Sequence, residues 1–262
     1  MGQKLNNVIK VFFATLAALI VLGPIVYIVI TSLRTSTGIW TLSAYPRALN
    51  SEFVHDAWNS VMVAGGIVLG ALICSLGLAY AMNRLKEWYT NGLFVLVLGG
   101  LAVPINAGLI PLYSLSYKLG LYNHLIAIIF PGIAYALPIS TLIFTNFLRD
   151  IPEELHDAMR IDGVSKLGTL RRLVIPLSLP PIATISIYEF IVNWNSFLLP
   201  LVLTQSSDER VIPIALWSYQ GQHATDFQGL MAAILLSILP LMLLFIIGKK
   251  YLVRGFTVGV GK

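Results

Sequence analysis

Six apolar runs of membrane length, separated by polar intervals, decide what this chain can fold into. Crossing a bilayer core takes about 20 apolar residues in an α-helix. No water is available there for an unpaired backbone N–H or C=O, so each run must close its own hydrogen bonds as a helix. The runs cover approximately 8–33, 59–82, 92–115, 121–147, 177–203 and 228–247. Hydrophobic residues make up 57% of the chain and charged residues 11%, against about 25% charge in a soluble domain. The expected fold class is all-α: a polytopic membrane protein with six transmembrane helices, organised as a single transmembrane domain over residues 1–262.

The first run is longer than the core of a signal peptide and reads as a retained helix, with Pro24 at its middle. Residues 34–58 form a polar connection in which Trp40, Tyr45 and Trp58 suit the membrane–water boundary. In the second run Gly66 and Gly70 are four apart, as are Ala71 and Ser75. That is a small-residue ridge for close helix contact, or simply the glycine common in membrane helices. Cys74 is the only cysteine, so no disulfide forms within the chain, and it reads as a small buried hydrophobe. Pro104, Asn106, Gly108 and Pro111 predict that the third run is broken or bent. Pro180-Pro181 marks the start of the fifth run, and the sixth ends against Gly248-Lys249-Lys250.

Orientation follows from counting bases. With the amino terminus in the cytoplasm, 13 of the 17 Lys and Arg residues fall inside, and Arg34, Arg47, Lys118 and Arg210 fall outside. Short loops rich in Lys and Arg stay in the cytoplasm, so both termini are expected there. The net charge of +5 is thus spent on topology and gives no reason to expect a nucleic-acid partner.

The interval Asp150–Pro181 is the longest polar stretch and falls on the cytoplasmic side. Its first part has the spacing of a short amphipathic helix. Asp150 is a candidate cap with Glu153 as its reciprocal partner, and Pro152 fits the first turn. Leu155, Ala158, Met159 and Asp162 share one face, with charge around it from Glu153, Glu154, Asp157 and Arg160. Gly163 suits a left-handed exit. The module reads either as a docking element or as a solvated loop with a helical turn.

Enzymatic signals are thin. His55, His124, His156 and His223 form no ligand spacing, and neither H-E-x-x-H nor G-x-S-x-G occurs. A phosphate-binding G-x-x-x-x-G-K-[ST] loop is also missing, and the terminal Gly259-Val260-Gly261-Lys262 has the wrong shape for one. No catalytic, metal or cofactor residues are therefore assigned. If ATP drives this protein, another chain hydrolyses it. The informative polar cluster lies in the fifth run, where Glu189, Asn193 and Ser196 share a helix face, Trp194 lies elsewhere on the helix and Asn195 completes the polar run. A carboxylate inside a bilayer needs protein, water or a counter-charge around it. The cluster is either the lining of a path for a polar solute or a buried network between helices.

These residues also carry a resemblance. Asp157-Ala158-Met159, three residues, Gly163, nine residues, then Leu173-Val174-Ile175-Pro176 resembles the "EAA" loop of membrane subunits of ABC importers. Asp157 stands for the usual Glu, Met159 for the second Ala, Leu173 for Ile and Ile175 for Leu. Trp194-Asn195-Ser196-Phe197-Leu198-Leu199-Pro200 is similar to the W-N-E-F-L-L-P run of the carbohydrate-type permeases, with Ser196 in place of Glu. Asn59-Ser60, Ala79-Tyr80-Ala81-Met82-Asn83-Arg84, Asp226–Ala233 and Tyr251–Gly259 resemble further signatures of that branch, which gives a family-like core of about 59–250.

The resemblance implies that residues 150–176 form a cytoplasmic coupling loop seated in a groove of an ATPase. The residues expected to make that coupling contact are Glu154, Leu155, Asp157, Ala158, Met159, Arg160, Gly163 and Pro176, of which Asp157, Ala158, Met159, Gly163 and Pro176 fall on the motif. It also implies a second, probably different, permease subunit, two ATPase subunits and an extracytoplasmic solute-binding protein, in a bacterial or archaeal cytoplasmic membrane. ATP and Mg belong to the partner ATPase. The implied cargo is a sugar or oligosaccharide, with glycerol-phosphate or another polar solute as the alternative. A secondary transporter, which would need no ATPase, and a non-transport scaffold are the readings outside this class.

The topology is testable with single cysteines at Ser165 and Ser207 in a Cys74→Ser background. A membrane-impermeant reagent should label Ser207Cys from outside and Ser165Cys only after the inner face is opened. Labelling of both from one side would overturn the six-span arrangement.

Overall fold

The computed structural model describes residues 2–85, 88–219 and 226–257. Lys86, His223 and Gly259-Val260-Gly261-Lys262 lie outside the described residues. The helices are α1 (Gly2–Leu33), α2 (Ala44–Ala48), α3 (Ser51–Leu85), α4 (Trp88–Gly99), α5 (Ile105–Lys118), α6 (Ile126–Arg149) and α7 (Glu153–Ile161). They continue with α8 (Lys166–Thr169), α9 (Ile175–Leu177), α10 (Leu179–Trp194), α11 (Leu198–Leu203), α12 (Ile212–Ser218) and α13 (Phe227–Thr257). Among the described residues there is no β-strand, only an isolated bridge between Arg34 and Trp40.

Among the described residues, four helices are long and apolar enough to cross a membrane unaided: Ile9–Leu33, Ser51–Arg84, Ile126–Arg149 and Phe227–Gly248. Two bent pairs complete the set. Tyr89–Ala102 meets Ile105–Lys118 at 99°, and Lys166–Leu177 meets Leu179–Trp194 at 72°. Taken as one span each, they bring the number to six. The bend expected in the third run is therefore present, at Pro104, whose backbone is extended at φ −70°, ψ 128°.

Other boundaries move. The fifth run's own helix, α10, starts at Leu179, close to the expected 177, but helical turns precede it from Lys166 inside the polar module, where Ser165 Oγ accepts the Gly168 N–H at 3.2 Å as an N-cap, and the chain bends by 72° between the two. It stops at Trp194 and resumes only for Leu198–Leu203, so the run is not one helix through residue 203. Ser196 consequently leaves the face it was expected to share with Glu189 and Asn193. The last helix continues through Gly248-Lys249-Lys250 to Thr257. One glycine costs a helix only about 1 kcal/mol, and lysine is a good helix former.

Two compact units divide the chain. The first comprises Met1–His55 and Ala215–Leu239. Here the apolar window of α1 has no covered residues. Near the end of α1, Ser32 Oγ shares a 2.9 Å hydrogen bond with Tyr45 Oη. Asp226 caps α13, since its Oδ1 accepts the Gly229 N–H at 2.9 Å, and it lies 3.8 Å from Arg47.

The second unit comprises Asp56–Ile214 and Pro240–Lys262. Its core joins Val63, Ile67 and Ala71 of α3 to Ala127, Ile128 and Ala136 of α6 and to Leu199 and Leu203 of α11. A second cluster gathers Leu76 and Ala79 with Phe144, Leu148, Val174 and Ile185. The ridge anticipated at Gly66 and Gly70 is real packing. A Cβ on Gly70 would collide with Ile133, and one on Gly132 with Ile67, so each helix drops an isoleucine into the glycine of the other. Cys74 is exposed on α3, not buried, because this packing turns the Ala71–Ser75 face inward.

Gly132→Leu should overfill the α3–α6 contact and cost about 1–3 kcal/mol. A lower thermal midpoint in detergent or lipid checks this. Gly65→Ala, where an added Cβ meets nothing within 4 Å, should leave the midpoint in place.

Candidate functional site

The polar module is built from its two ends inward. α6 ends at Arg149 with Asp150 as its C-cap residue, so Asp150 does not cap the next helix. α7 begins after Pro152, whose extended backbone (φ −55°, ψ 136°) sets the entry, and no side chain caps it. Glu153 is occupied elsewhere. Its carboxylate accepts two hydrogen bonds from Arg84 at the end of α3, at 2.9 and 3.2 Å. The exit fits the expected glycine: Gly163 has φ +72°, its N–H bonds to Arg160 O at 3.0 Å, and the Val164 N–H bonds to Met159 O at 3.0 Å. This paired closure needs a left-handed residue, and only glycine takes that backbone without strain.

Two opposite faces result from the 3.6-residue turn. Glu153, His156 and Arg160 point one way, toward α3 and the start of α8. His156 is 7% exposed. Burial pushes its imidazole below the ordinary value, Arg84 pushes the same way, and the Glu153 and Asp157 carboxylates oppose them. On the far side lie Glu154, Leu155, Ala158, Ile161 and Asp162, all exposed. Leu155 is 41% exposed and Ile161 85%. Met159 is half-buried between the faces. Asp157 and Arg160 pair at 3.5 Å in the open, and Pro176 is exposed on α9. The sequence reading passed over Ile161. Its signal was present, since Leu155, Ala158, Ile161 and Asp162 continue one stripe at 3- and 4-residue spacing.

The second cluster closes inward. Glu189 is 3% exposed on α10. Its carboxylate accepts hydrogen bonds from Ser140 Oγ of α6 at 3.4 Å and Asn193 Nδ2 at 3.3 Å, while Asn193 also donates to Glu189 O at 2.8 Å. Trp194 is buried and stacks on Phe190 with ring centroids 5.6 Å apart. Asn195 is exposed at the helix end and donates to Ile191 O at 2.7 Å. Ser196 lies in the break, half-buried. Of the five, Glu189 and Asn193 come together in a network within this chain, and Asn195 is the one left open.

The Asn59-Ser60 pair has a structural task. Asn59 Nδ2 donates to the carbonyls of Asp208 and Arg210 at 2.8 and 2.9 Å, and Ser60 Oγ accepts the Ile212 N–H at 2.8 Å. Glu209 in the same segment accepts the Leu125 N–H at 2.8 Å, at the start of α6. Asn123, at φ +63°, accepts the N–H groups of Gln205 and Ser206, both at 2.8 Å. Together these tie the chain beyond the break to α3 and to the start of α6.

Against known proteins, the family described as "Binding-protein-dependent transport system inner membrane component" matches residues 66–258. A putative ABC transporter permease protein of a Caldicellulosiruptor species is 34% identical over 91% of this chain and 91% of its own length. The sulfoquinovosyl glycerol transport system permease of Agrobacterium fabrum is 31% identical over 91% of this chain and 88% of its own. A chain of a bacterial ABC transporter that imports the acidic polysaccharide alginate shares the fold, with a TM-score of 0.85 over 96% of this chain and 98% of that one, at 21% identity. With the family signature spanning most of its length, the chain belongs to the binding-protein-dependent transport system inner-membrane components.

Proposed function

We propose that this protein is one of two membrane subunits of an ATP-driven importer, that its cargo is a sugar or oligosaccharide, and that α7 is where ATP hydrolysis in a partner chain is felt. The observation that carries the reading is the two-faced build of α7. Glu153 and the buried His156 tie one side to the membrane unit, while Leu155, Ala158 and Ile161 stand uncovered on the other. An apolar stripe on a nine-residue helix gains about 1.5–3 kcal/mol for each large side chain that a groove buries fully. ATP and Mg act on the partner. In this chain, movement of the groove is passed from α7 through Glu153 to Arg84 and so to α3. The membrane helices are then the bistable element that nucleotide biases between inward- and outward-facing states.

A carbohydrate cargo is supported by the name of the Agrobacterium relative and by the likeness of Trp194–Pro200 to the carbohydrate-type permeases. A second permease subunit, two ATPase subunits and an extracytoplasmic binding protein complete the proposed assembly, in a cytoplasmic membrane with both termini inside. Asn195, open at the end of α10, is the proposed path residue, while Glu189 and Asn193 hold α10 to α6.

Uptake of a panel of labelled sugars and of glycerol-phosphate into proteoliposomes with binding protein and ATP tests the cargo. ATP-dependent uptake of a sugar is expected. Uptake of glycerol-phosphate alone overturns the carbohydrate reading. In the same system Ala158→Trp should overfill the groove at a cost of about 1–3 kcal/mol and Gly163→Val should strain the exit. Both should lower solute-stimulated ATP hydrolysis or release the ATPase on purification. Full coupling in Ala158→Trp would mean that this face is not the contact. Asn195→Leu should raise the KM for uptake with the complex intact, and an unchanged KM removes Asn195 from the path.

A further inference from the structure

Behind α7, on the side away from Leu155 and Ile161, lies a cavity of about 610 Å³ between the end of α3, α7 and the start of α8. That is within the range of small-ligand sites. Its lining is basic: Arg84, Arg160 and Lys166 face a single carboxylate, Glu153, with Tyr80 and Ser165 among the neutral groups. His156 lines it too, more than nine-tenths buried, with no hydrogen-bond partner for Nδ1. Arg84 lines it with a side chain 20% exposed, and its fork is filled by the carboxylate of Glu153, which is 51% exposed. A guanidinium fork that accepts a carboxylate with two N–H bonds accepts a phosphate with the same geometry.

We propose that this cavity is an anion site that takes a phosphate group, from a soluble phosphate or from the headgroup of an anionic lipid, on Arg84, Arg160 and Lys166, with Glu153 as the internal stand-in that the phosphate displaces. The proposal rests on the cytoplasmic placement of α7 but not on the identity of the cargo. Its consequence is regulatory. Glu153 is the link between α7 and α3, so a phosphate on Arg84 exchanges that link for one through the ligand. Arg160 of α7 and Lys166 of α8 then share the anion with α3. The groups around His156 are Arg84 and Arg160 on one side and Glu153 and Asp157 on the other, with Lys166 and Tyr80 across the cavity. Unliganded, burial and Arg84 push the ring below its ordinary value. A bound anion favours its protonated form, so the ring's contribution to binding should grow as pH falls below the ordinary imidazole value.

The test uses the whole importer in nanodiscs, with its ATPase sites filled by ADP. Radiolabelled inorganic phosphate is titrated by equilibrium dialysis in phosphatidylcholine discs. In a second arm, discs containing phosphatidylglycerol are used, and lipid retained by the complex is counted by native mass spectrometry. Saturable binding in the first arm identifies a soluble phosphate, and retention only in the second identifies a headgroup. In either case Arg160→Gln with Lys166→Gln should weaken binding about tenfold, from the loss of two charge-assisted contacts. Arg84 and Glu153 remain in that variant, so α7 stays seated. Glu153→Gln should tighten binding about tenfold by removing the competing charge, an effect that a purely structural Arg84–Glu153 pair would not give. The proposal is overturned if neither arm shows binding that these variants move. It is equally overturned if binding appears only after the ATPase is stripped away, since the cavity then belongs to that partner.

Discussion

Backbone polar groups inside a bilayer have no water to turn to, and that single constraint shapes both the helices of this protein and the places where they stop. Where a helix is continuous the demand is met internally. Where it breaks, the chain must supply other partners. At the end of α10 the Asn195 amide donates to Ile191 O, and the Ser196 N–H bonds to Asn193 O at 3.2 Å. Beyond the break, Thr204 Oγ1 returns to Pro200 O at 2.9 Å, and Asn123 collects two N–H groups of the following turn. Asn59, Ser60 and Glu209 do the same for neighbouring turns and for the start of α6. Residues that look like scattered polar signatures are largely partners for non-helical backbone, both at the break after α10 and in the 204–212 segment that the expected topology carries to the outer side.

The same accounting explains why helices pack closely here. Lipid tails are as apolar as leucine, so burial alone gives membrane helices little reason to associate, and contact area has to come from fit. Ile67 seated against Gly132, and Ile133 against Gly70, provide it between α3 and α6. Glu189, Ser140 and Asn193 add a polar tie from α6 to α10 in the same unit. α3 thus meets α6 through shape, and at its far end meets α7 through charge, by way of Arg84 and Glu153. In the proposed coupling, a displacement of α7 is delivered to a helix that cannot slide freely past its neighbour.

Much of this could be read in the sequence because the bilayer makes the signal coarse. Apolar length fixes spans, base counts fix an expected orientation, and the spacing from Asp157 through Gly163 to Pro176 marks the proposed coupling loop without reference to a fold. Gly163 was legible for the same reason: a left-handed closure is a local demand, and glycine meets it locally. The errors fell where a residue has two possible partners. Asp150 is chemically able to cap α7, but it ends α6 instead, and Glu153 is drawn to Arg84, 69 positions earlier in the chain. Cys74 has the composition of a buried residue, yet which face of α3 turns inward depends on the glycines opposite.

What the sequence determined by itself was the class of solution: helices, about six spans, one amphipathic helix between the fourth and fifth, and membership of an importer family. These rest on hydrophobic length, periodicity and motif spacing, all of which are properties of neighbouring residues. Only the tertiary structure decided that Glu189 turns into a network with Ser140, that Ile161 joins Leu155 on the uncovered face, and that Arg84, His156, Arg160 and Lys166 surround a cavity behind it. Each of those depends on which residues from distant segments meet. That is set by the fit of α3 against α6 and by the angle at which the chain leaves α6 for α7, and neither quantity is written in any local stretch of the chain.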